Sequence, residues 1–280
     1  MKVAHSVARD FAGREIVKAG ELITASYAKG SAPSLAARKV LALLIAKAAG
    51  DAWKPGSHTI TKRELRGSHK GNERIPSILD ELMGVKFKLE TIGAGGRHAI
   101  LTAALIAWNI EETDDEDGAI IEWEFTEPCR RVLQGSDYYA RMNRAAVLAF
   151  DSKYALTLYE LGALLSGRHD PSWQGAVAEL RDKLGVEPGK LARWPDLNRY
   201  ALQQAKREID QLAHFTLSWK ERRQGRKVVS VELFFWLKDP KGVNQAAAEL
   251  DRPKVGRKSR RDGTVDQIAQ GPCLAEANER

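Results

Sequence analysis

The sequence predicts an α+β fold in which one motif, three helices followed by an antiparallel hairpin, occurs twice ahead of a disordered C-terminal tail. Three observations predict it. Apolar residues recur at helical spacing in two separate blocks, 34–82 and 152–212. Each block gives way to strand-like runs on either side of a glycine turn. Beyond Lys238 the periodicity stops and the composition shifts to Ala, Gly, Pro, Arg and Asp. The expected units are 1–135, 136–240 and a tail over 241–280, and 280 residues with 43% apolar content suffice for two cores.

In the first block, ELITASY (21–27) reads as a short strand. Ser34 caps a helix carrying Leu35, Val40, Leu41, Leu43 and Leu44 and ending at Gly50. Thr61 caps a short helix in HTITKRELRG, and Ile75, Ile78, Leu79 and Leu82 mark a third. KFKLETI then alternates, GAGGRH turns, and HAILTAALIAWNI continues as a strand. The acidic loop EETDDEDG leads to the strand AIIEWEF.

The second block repeats this order. Ser152 opens SKYALTLYELGALLSG, and WQGAVAELRDKLGV is a shorter helix closed by Gly185. After the loop EPGKLARWP comes the long helix DLNRYALQQAKREIDQLA, with Asp196 near its start. HFTLSWKERRQGRKVVSVELFFWL is a hairpin turning at Gln224-Gly225. Both hairpins run from Gly-Arg into an apolar strand ending in Trp. Helix–helix–helix–hairpin is a helix-turn-helix with an appended wing, so the fold expected is two tandem winged-helix domains.

Charge singles out one stretch. Residues 188–229 hold ten basic and four acidic residues, almost the whole net charge of +7. Such placement of Lys and Arg favours a polyanionic partner. Along the long helix, Leu202, Ala205, Ile209 and Leu212 form the apolar stripe, and Arg199, Tyr200, Gln203, Gln204, Arg207 and Gln211 lie around the other face. Arg and Gln pair bidentately with guanine and adenine edges in the major groove, which the N-terminal half of a recognition helix enters. The expected DNA-contacting residues are Lys190, Arg193, Asn198, Arg199, Gln203, Lys206 and Arg207, with Arg222, Arg223, Arg226 and Lys227 on the wing. In the first domain, the acidic run Glu111–Asp117 would repel phosphates, while Lys62, Arg63, Arg66, Lys70 and Arg74 could touch the backbone.

The second half resembles a known family. Ser152-Lys153-Tyr154 followed by Leu158-Tyr159-Glu160-Leu161, then Leu180, Arg181, Leu184, Gly185 and Val186, then Trp194 ahead of a helix holding Glu208 and Ile209, and finally Gly225-Arg226-Lys227, are similar to the motifs of the iteron-binding plasmid replication initiators of the RepA/RepB type. The resemblance covers nearly all of 21–238 and is tighter in the second half. It implies that the second domain binds repeated origin sites (iterons) as double-stranded DNA and that the first mediates homodimerisation. It further implies that monomers start replication at direct repeats while dimers repress their own gene at an inverted operator repeat, with the host initiator and replicative helicase as partners. This chain has Asn198-Arg199-Tyr200-Ala201 where the family often places two basic residues and an aliphatic, so base preference does not transfer.

Catalytic readings find little support. Rolling-circle initiation needs a His-x-His pair, a spacing the six histidines never adopt, and His169 reads as a loop residue. GVEPGK (185–190) is one residue short of the G-x-x-x-x-G-K phosphate loop. GAGG (93–96) precedes a strand rather than a helix N-terminus. DDEDG (114–118) lacks the twelve-residue calcium pattern and reads as a solvated loop. Cys129 and Cys273 match no zinc or disulfide framework. Trp123, Trp219 and Trp236 are expected in the core. No enzyme activity, cofactor or metal is expected. The first residues do not read as a secretory signal and the longest apolar run is too short for a bilayer, so a soluble cytoplasmic protein is expected. The competing reading is a winged-helix transcription regulator whose first domain senses a ligand or partner. Several direct repeats beside the gene favour the initiator, and a single palindrome favours the regulator.

Overall fold

The computed structural model describes residues 13–28, 31–66, 74–114 and 118–264. Lys70, Asp115 to Asp117 and the tail from 265 onward lie outside these residues. The first unit begins with β1 (Glu15–Ala19), α1 (Gly20–Thr24) and β2 (Ser26–Tyr27), then α2 (Leu35–Ala48), β3 (His58–Thr61), α3 (Lys62–Arg66) and α4 (Ile75–Gly84). Its strands β4 (Lys86–Ile92), β5 (His98–Ala104), β6 (Ile106–Glu111) and β7 (Ile120–Phe125) follow. A junction of α5 (Glu127–Gly135), β8 (Tyr139–Asn143) and α6 (Arg144–Ala149) leads to the second unit.

That unit contains α7 (Lys153–Leu165), β9 (Ser172–Ala176), α8 (Val177–Lys183), the long helix α9, and the wing strands β10 (Phe215–Gln224) and β11 (Lys227–Leu237). Helix α9 runs over 194–212 as an α-helical turn Trp194–Leu197, a π-helical turn Asn198–Leu202 and an α-helical body Gln203–Leu212. Two further helices, α10 (Pro240–Asp251) and α11 (Arg257–Arg261), end the described chain.

The caps explain where the helices start. Ser34 Oγ accepts from Ala37 N at 3.2 Å, and Ser152 Oγ accepts from Tyr154 N at 3.2 Å. Thr61 and Glu64 cap each other reciprocally, Glu64 N donating to Thr61 Oγ1 at 3.2 Å and Thr61 N to Glu64 Oε2 at 3.0 Å.

Among the described residues four antiparallel sheets form, β1-β8, β2-β4-β5, β3-β7-β6 and β10-β11-β9, over two cores. The first core holds Trp123, Phe125, Phe87 and Leu79; the second holds Phe150, Tyr159, Phe215 and Phe235. Strand β1 pairs with β8, and Ile16, Ile23 and Ala42 pack into the second core, so the halves share structure on either side of 135.

Several sequence expectations change. ELITASY is a short helix over Gly20–Thr24 and a strand only at Ser26–Tyr27. The run HAILTAALIAWNI breaks at buried Leu105, where β5 joins one sheet and β6 another. Thr126 fixes that corner, its Oγ1 donating to Ala104 O at 2.6 Å and its N to Leu105 O at 3.0 Å. Ser172–Ala176 is not helix but a third strand pairing with β11. The hairpin loop is Gly225-Arg226, one residue later than expected, because Gln224 and Lys227 pair.

The disordered tail must be corrected over 239–264. Asp239 Oδ1 caps α10 by accepting from Gly242 N at 2.8 Å, Pro240 opens the helix, and Ala246 and Glu249 are buried. An ion cluster helps to hold these helices, with Arg260 NH2 2.7 Å from Glu249 Oε1 and Arg257 close by, and Leu250 packs against the second core. Trp236 is also not in the core. It is 52% exposed and stacks on Phe234 at 5.9 Å.

A candidate nucleic-acid interface

The apolar stripe of α9 is buried as expected: Leu202, Ala205 and Ile209 are fully enclosed and Leu212 nearly so. The opposite face presents Arg199, Tyr200, Gln203, Gln204 and Arg207 to solvent. Side chains on α9 lock it to the wing. Trp194 Nε1 donates to Glu221 Oε1 at 2.8 Å, Leu217 N to Asp210 Oδ1 at 3.2 Å, and Lys206 Nζ to Leu217 O at 2.8 Å. The first turn of the helix therefore lies beside the shaft of β10. Three side-chain hydrogen bonds thus join the helix to the ribbon.

The wing tip is cationic. Arg222, Arg223, Arg226 and Lys227 are exposed around Gly225, whose φ of +59° suits a residue without Cβ. A register shift between Arg222 and Arg223 bulges the ribbon just before the tip and re-aims its side chains.

Some of the expected contact residues are paired and others are not. Lys190 bridges Glu187 at 2.7 Å, Arg193 bridges Asp196 at 2.9 Å, Lys206 bridges Asp210 at 2.6 Å, and Arg223 bridges Glu221 at 2.6 Å. Arg199 lies over the Tyr200 ring at 5.4 Å. Among the described residues, Arg199, Arg207, Arg222, Arg226 and Lys227 make no salt bridge. Asn198 is half-buried, its Oδ1 enclosed without a hydrogen-bond partner. Gln211, placed by periodicity on the outer face, is covered by α11: its Nε2 donates to Arg257 O at 3.1 Å and its Oε1 accepts from Arg261 at 2.7 Å.

The first unit offers fewer cations than its sequence suggested. Lys62 is not available for phosphate, since it is 3% exposed and bridges Glu111 at 2.9 Å. Arg63 and Arg74 are exposed.

The chain matches two family models, "Initiator Replication protein, WH1" over residues 15–163 and "Initiator Rep protein, WH2" over 176–235. The chain belongs to the initiator Rep protein family. Its two units are the tandem winged helices of that family. The crystal structure of a Pi initiator protein in complex with iteron DNA is similar in fold, with a TM-score of 0.58 over 81% of this chain and 98% of that one at 18% identity. No curated protein matches. Among the described residues no helix is long and apolar enough to cross a membrane.

The motif residues of this Rep chain have structural duties that sequence alone did not reveal. Tyr159 is fully buried; its hydroxyl accepts from Asn143 N at 2.9 Å, and burial pushes its phenol well above the ordinary range. Lys153 Nζ donates to Gly185 O at 2.9 Å. Glu208 Oε2 accepts from Asp151 N at 2.8 Å and Ser152 N at 3.3 Å, tying α9 to the start of α7, and burial raises its carboxyl pKa. The sequence shows Arg181 only as a motif residue and Glu221 only as the one acidic residue in the wing's basic run, and neither signal reveals the bonds they make.

Proposed function

We propose that this chain is a plasmid replication initiator that binds the direct repeats of its origin as duplex DNA, with α9 in the major groove and the β10–β11 wing on the adjoining backbone. The observation that carries the reading is the unpaired set Arg199, Arg207, Arg222, Arg226 and Lys227, exposed on a helix and ribbon that are locked together. Unpaired exposed cations bind phosphate without first breaking an internal ion pair, and each neutralised phosphate steepens the salt dependence. Family membership and the DNA in the similar Pi structure support the same reading. Lys190, Arg193, Asn198, Gln203, Lys206 and Arg223 complete the proposed contact set.

The test is electrophoretic mobility shift of the full chain with the DNA beside its gene. Arg199→Ala and Arg207→Ala should each reduce discrimination between site and random duplex by about 1–3 kcal/mol. Arg226→Ala should weaken all duplexes about equally and flatten the salt slope by about one. Should the two groups of variants prove indistinguishable, the division between readout and positioning is wrong.

Origin opening, recruitment of the host initiator and helicase, and repression of its own gene by a dimer extend this proposal. The dimer would form through the first domain. Supporting it, Ile92 and Ile100 lie on one face of the β4–β5 hairpin, 60% and 68% exposed, and β5 is an edge strand among the described residues. Ile100→Glu should shift sedimentation of the concentrated chain toward the monomer. A variant that dimerises as tightly as the parent removes this part.

A further inference from the structure

The turn from α8 into α9 is wound unusually tightly. Within seven residues it holds three left-handed positions, Gly185 (φ +60°), Gly189 (φ +82°) and Leu191 (φ +49°). For the glycines this costs little. For leucine it is a conformation that must be held in place by its surroundings. Leu191 is not free to be glycine without loss, because its side chain packs against the second core.

What holds it is Arg181. The guanidinium reaches from α8 across the turn, NH1 donating to the Leu191 carbonyl and NH2 to the Lys190 carbonyl. The planar fork of arginine spans two adjacent carbonyls, whereas a lysine ammonium satisfies them as a single point. Lys153 pins the other end of the turn at Gly185 O. Two and three residues after Leu191 come Arg193, at the N-cap of α9, and Trp194, which meets the wing.

We infer that Arg181 is a positioning residue for duplex recognition: by clamping the carbonyls of Lys190 and Leu191 it holds Leu191 left-handed and sets the direction in which α9 leaves the turn. The inference rests on the duplex-binding reading above and adds to it a residue that touches no DNA. Two fork nitrogens turned onto backbone carbonyls favour this role over a phosphate contact. A preformed turn lowers the ordering cost of binding.

The experiment compares the full-length parent, Arg181→Lys, Leu191→Gly and the double variant on site-bearing duplex over a range of salt, with amide hydrogen exchange of each free protein. Arg181→Lys, which keeps the charge and loses the fork, should weaken site binding about tenfold. Its plot of log affinity against log salt should run parallel to the parent's, and exchange at 190–193 should accelerate with an unchanged global unfolding midpoint. In the Leu191→Gly background the same substitution should cost less than about threefold, because glycine needs no clamp. Parental affinity in Arg181→Lys, a salt slope shallower by about one, an equal cost in both backgrounds, or unfolding of the variant each overturns the inference. A parent chain that binds no duplex at all overturns the functional reading and this inference together, whereas lost affinity without faster exchange overturns the inference alone.

Discussion

Glu160→Leu is expected to lower the unfolding free energy by about 3–5 kcal/mol, because it leaves two buried cations without their counter-ion. Lys18 Nζ lies 2.8 Å from Glu160 Oε1, and Arg38 NH1 lies 3.8 Å from Oε2, with all three side chains 3–4% exposed. Each comes from a different element: Lys18 from β1, Arg38 from α2 and Glu160 from α7. A carboxylate facing two cations repays its own desolvation through both. Removing it reverses the balance, since neither cation regains water while the fold persists. Arg38 retains Pro33 O through its Nε at 3.3 Å, but among the described residues Lys18 Nζ donates to Glu160 alone. Urea unfolding of parent and variant measures the effect. A loss under about 1 kcal/mol would mean that water reaches the triad. Adding Lys18→Met to the variant should recover part of the loss, because it removes one of the stranded charges.

Phe215→Ala should cost about 3–5 kcal/mol by emptying the middle of the second core. The ring is fully buried at the start of β10, stacked on Tyr159 at 5.7 Å and edge-on to Phe235 at 5.9 Å. It also fills the notch left by Gly162, where an added Cβ would fall 2.3 Å from the Phe215 ring. That close approach explains a glycine inside α7 despite its poor helix propensity. With the ring gone, Gly162 faces a void that the rigid aromatic neighbours cannot collapse to fill. Because Phe215 follows directly on α9, the loss should also loosen the wing from the helix. Weaker duplex binding is therefore expected at temperatures where the variant is still folded. Thermal unfolding with parallel binding assays checks both effects, and a variant within about 1 kcal/mol of the parent would show that the core closes over the gap.

The sequence was most legible where structure is local. Ser34, Thr61 and Ser152 announced their helices because a side-chain oxygen two or three residues away from an orphan N–H is a property of adjacent residues. The buried stripe of α9 followed from its spacing, as did the exposed Arg199, Gln203 and Arg207. Gly225 marked the wing within one residue. Even the C-terminal helix had its signal in Asp239-Pro240, an N-cap followed by proline at the first helical position. Its inward face carries Ala246, Glu249 and Leu250, which is too little aliphatic surface to show a helical stripe in the sequence.

The misreadings share one cause. Ser172–Ala176 looks helical by its neighbours and becomes a strand because β11 offers it an edge. The strand through Leu105 divides because two different partners, β4 and β7, compete for its halves. β1 carries little alternation and takes its form from β8, more than a hundred residues later. Backbone pairing rewards the partner, and the partner's position is not written in the local period.

The same distinction applies to the candidate site. From the sequence alone come the winged-helix order, the basic stretch 188–229 and the polar face of α9, since each depends on residue type and on separations of two to four positions. Only the tertiary structure decides which of those charges remain free. Lys62 is taken by Glu111, Gln211 by the helices after the wing, and Lys18 finds Glu160 at a separation of 142 residues. Ion pairs and hydrogen bonds form by proximity in space, and a charge counted along the chain is available to a partner only where folding has left it unpaired.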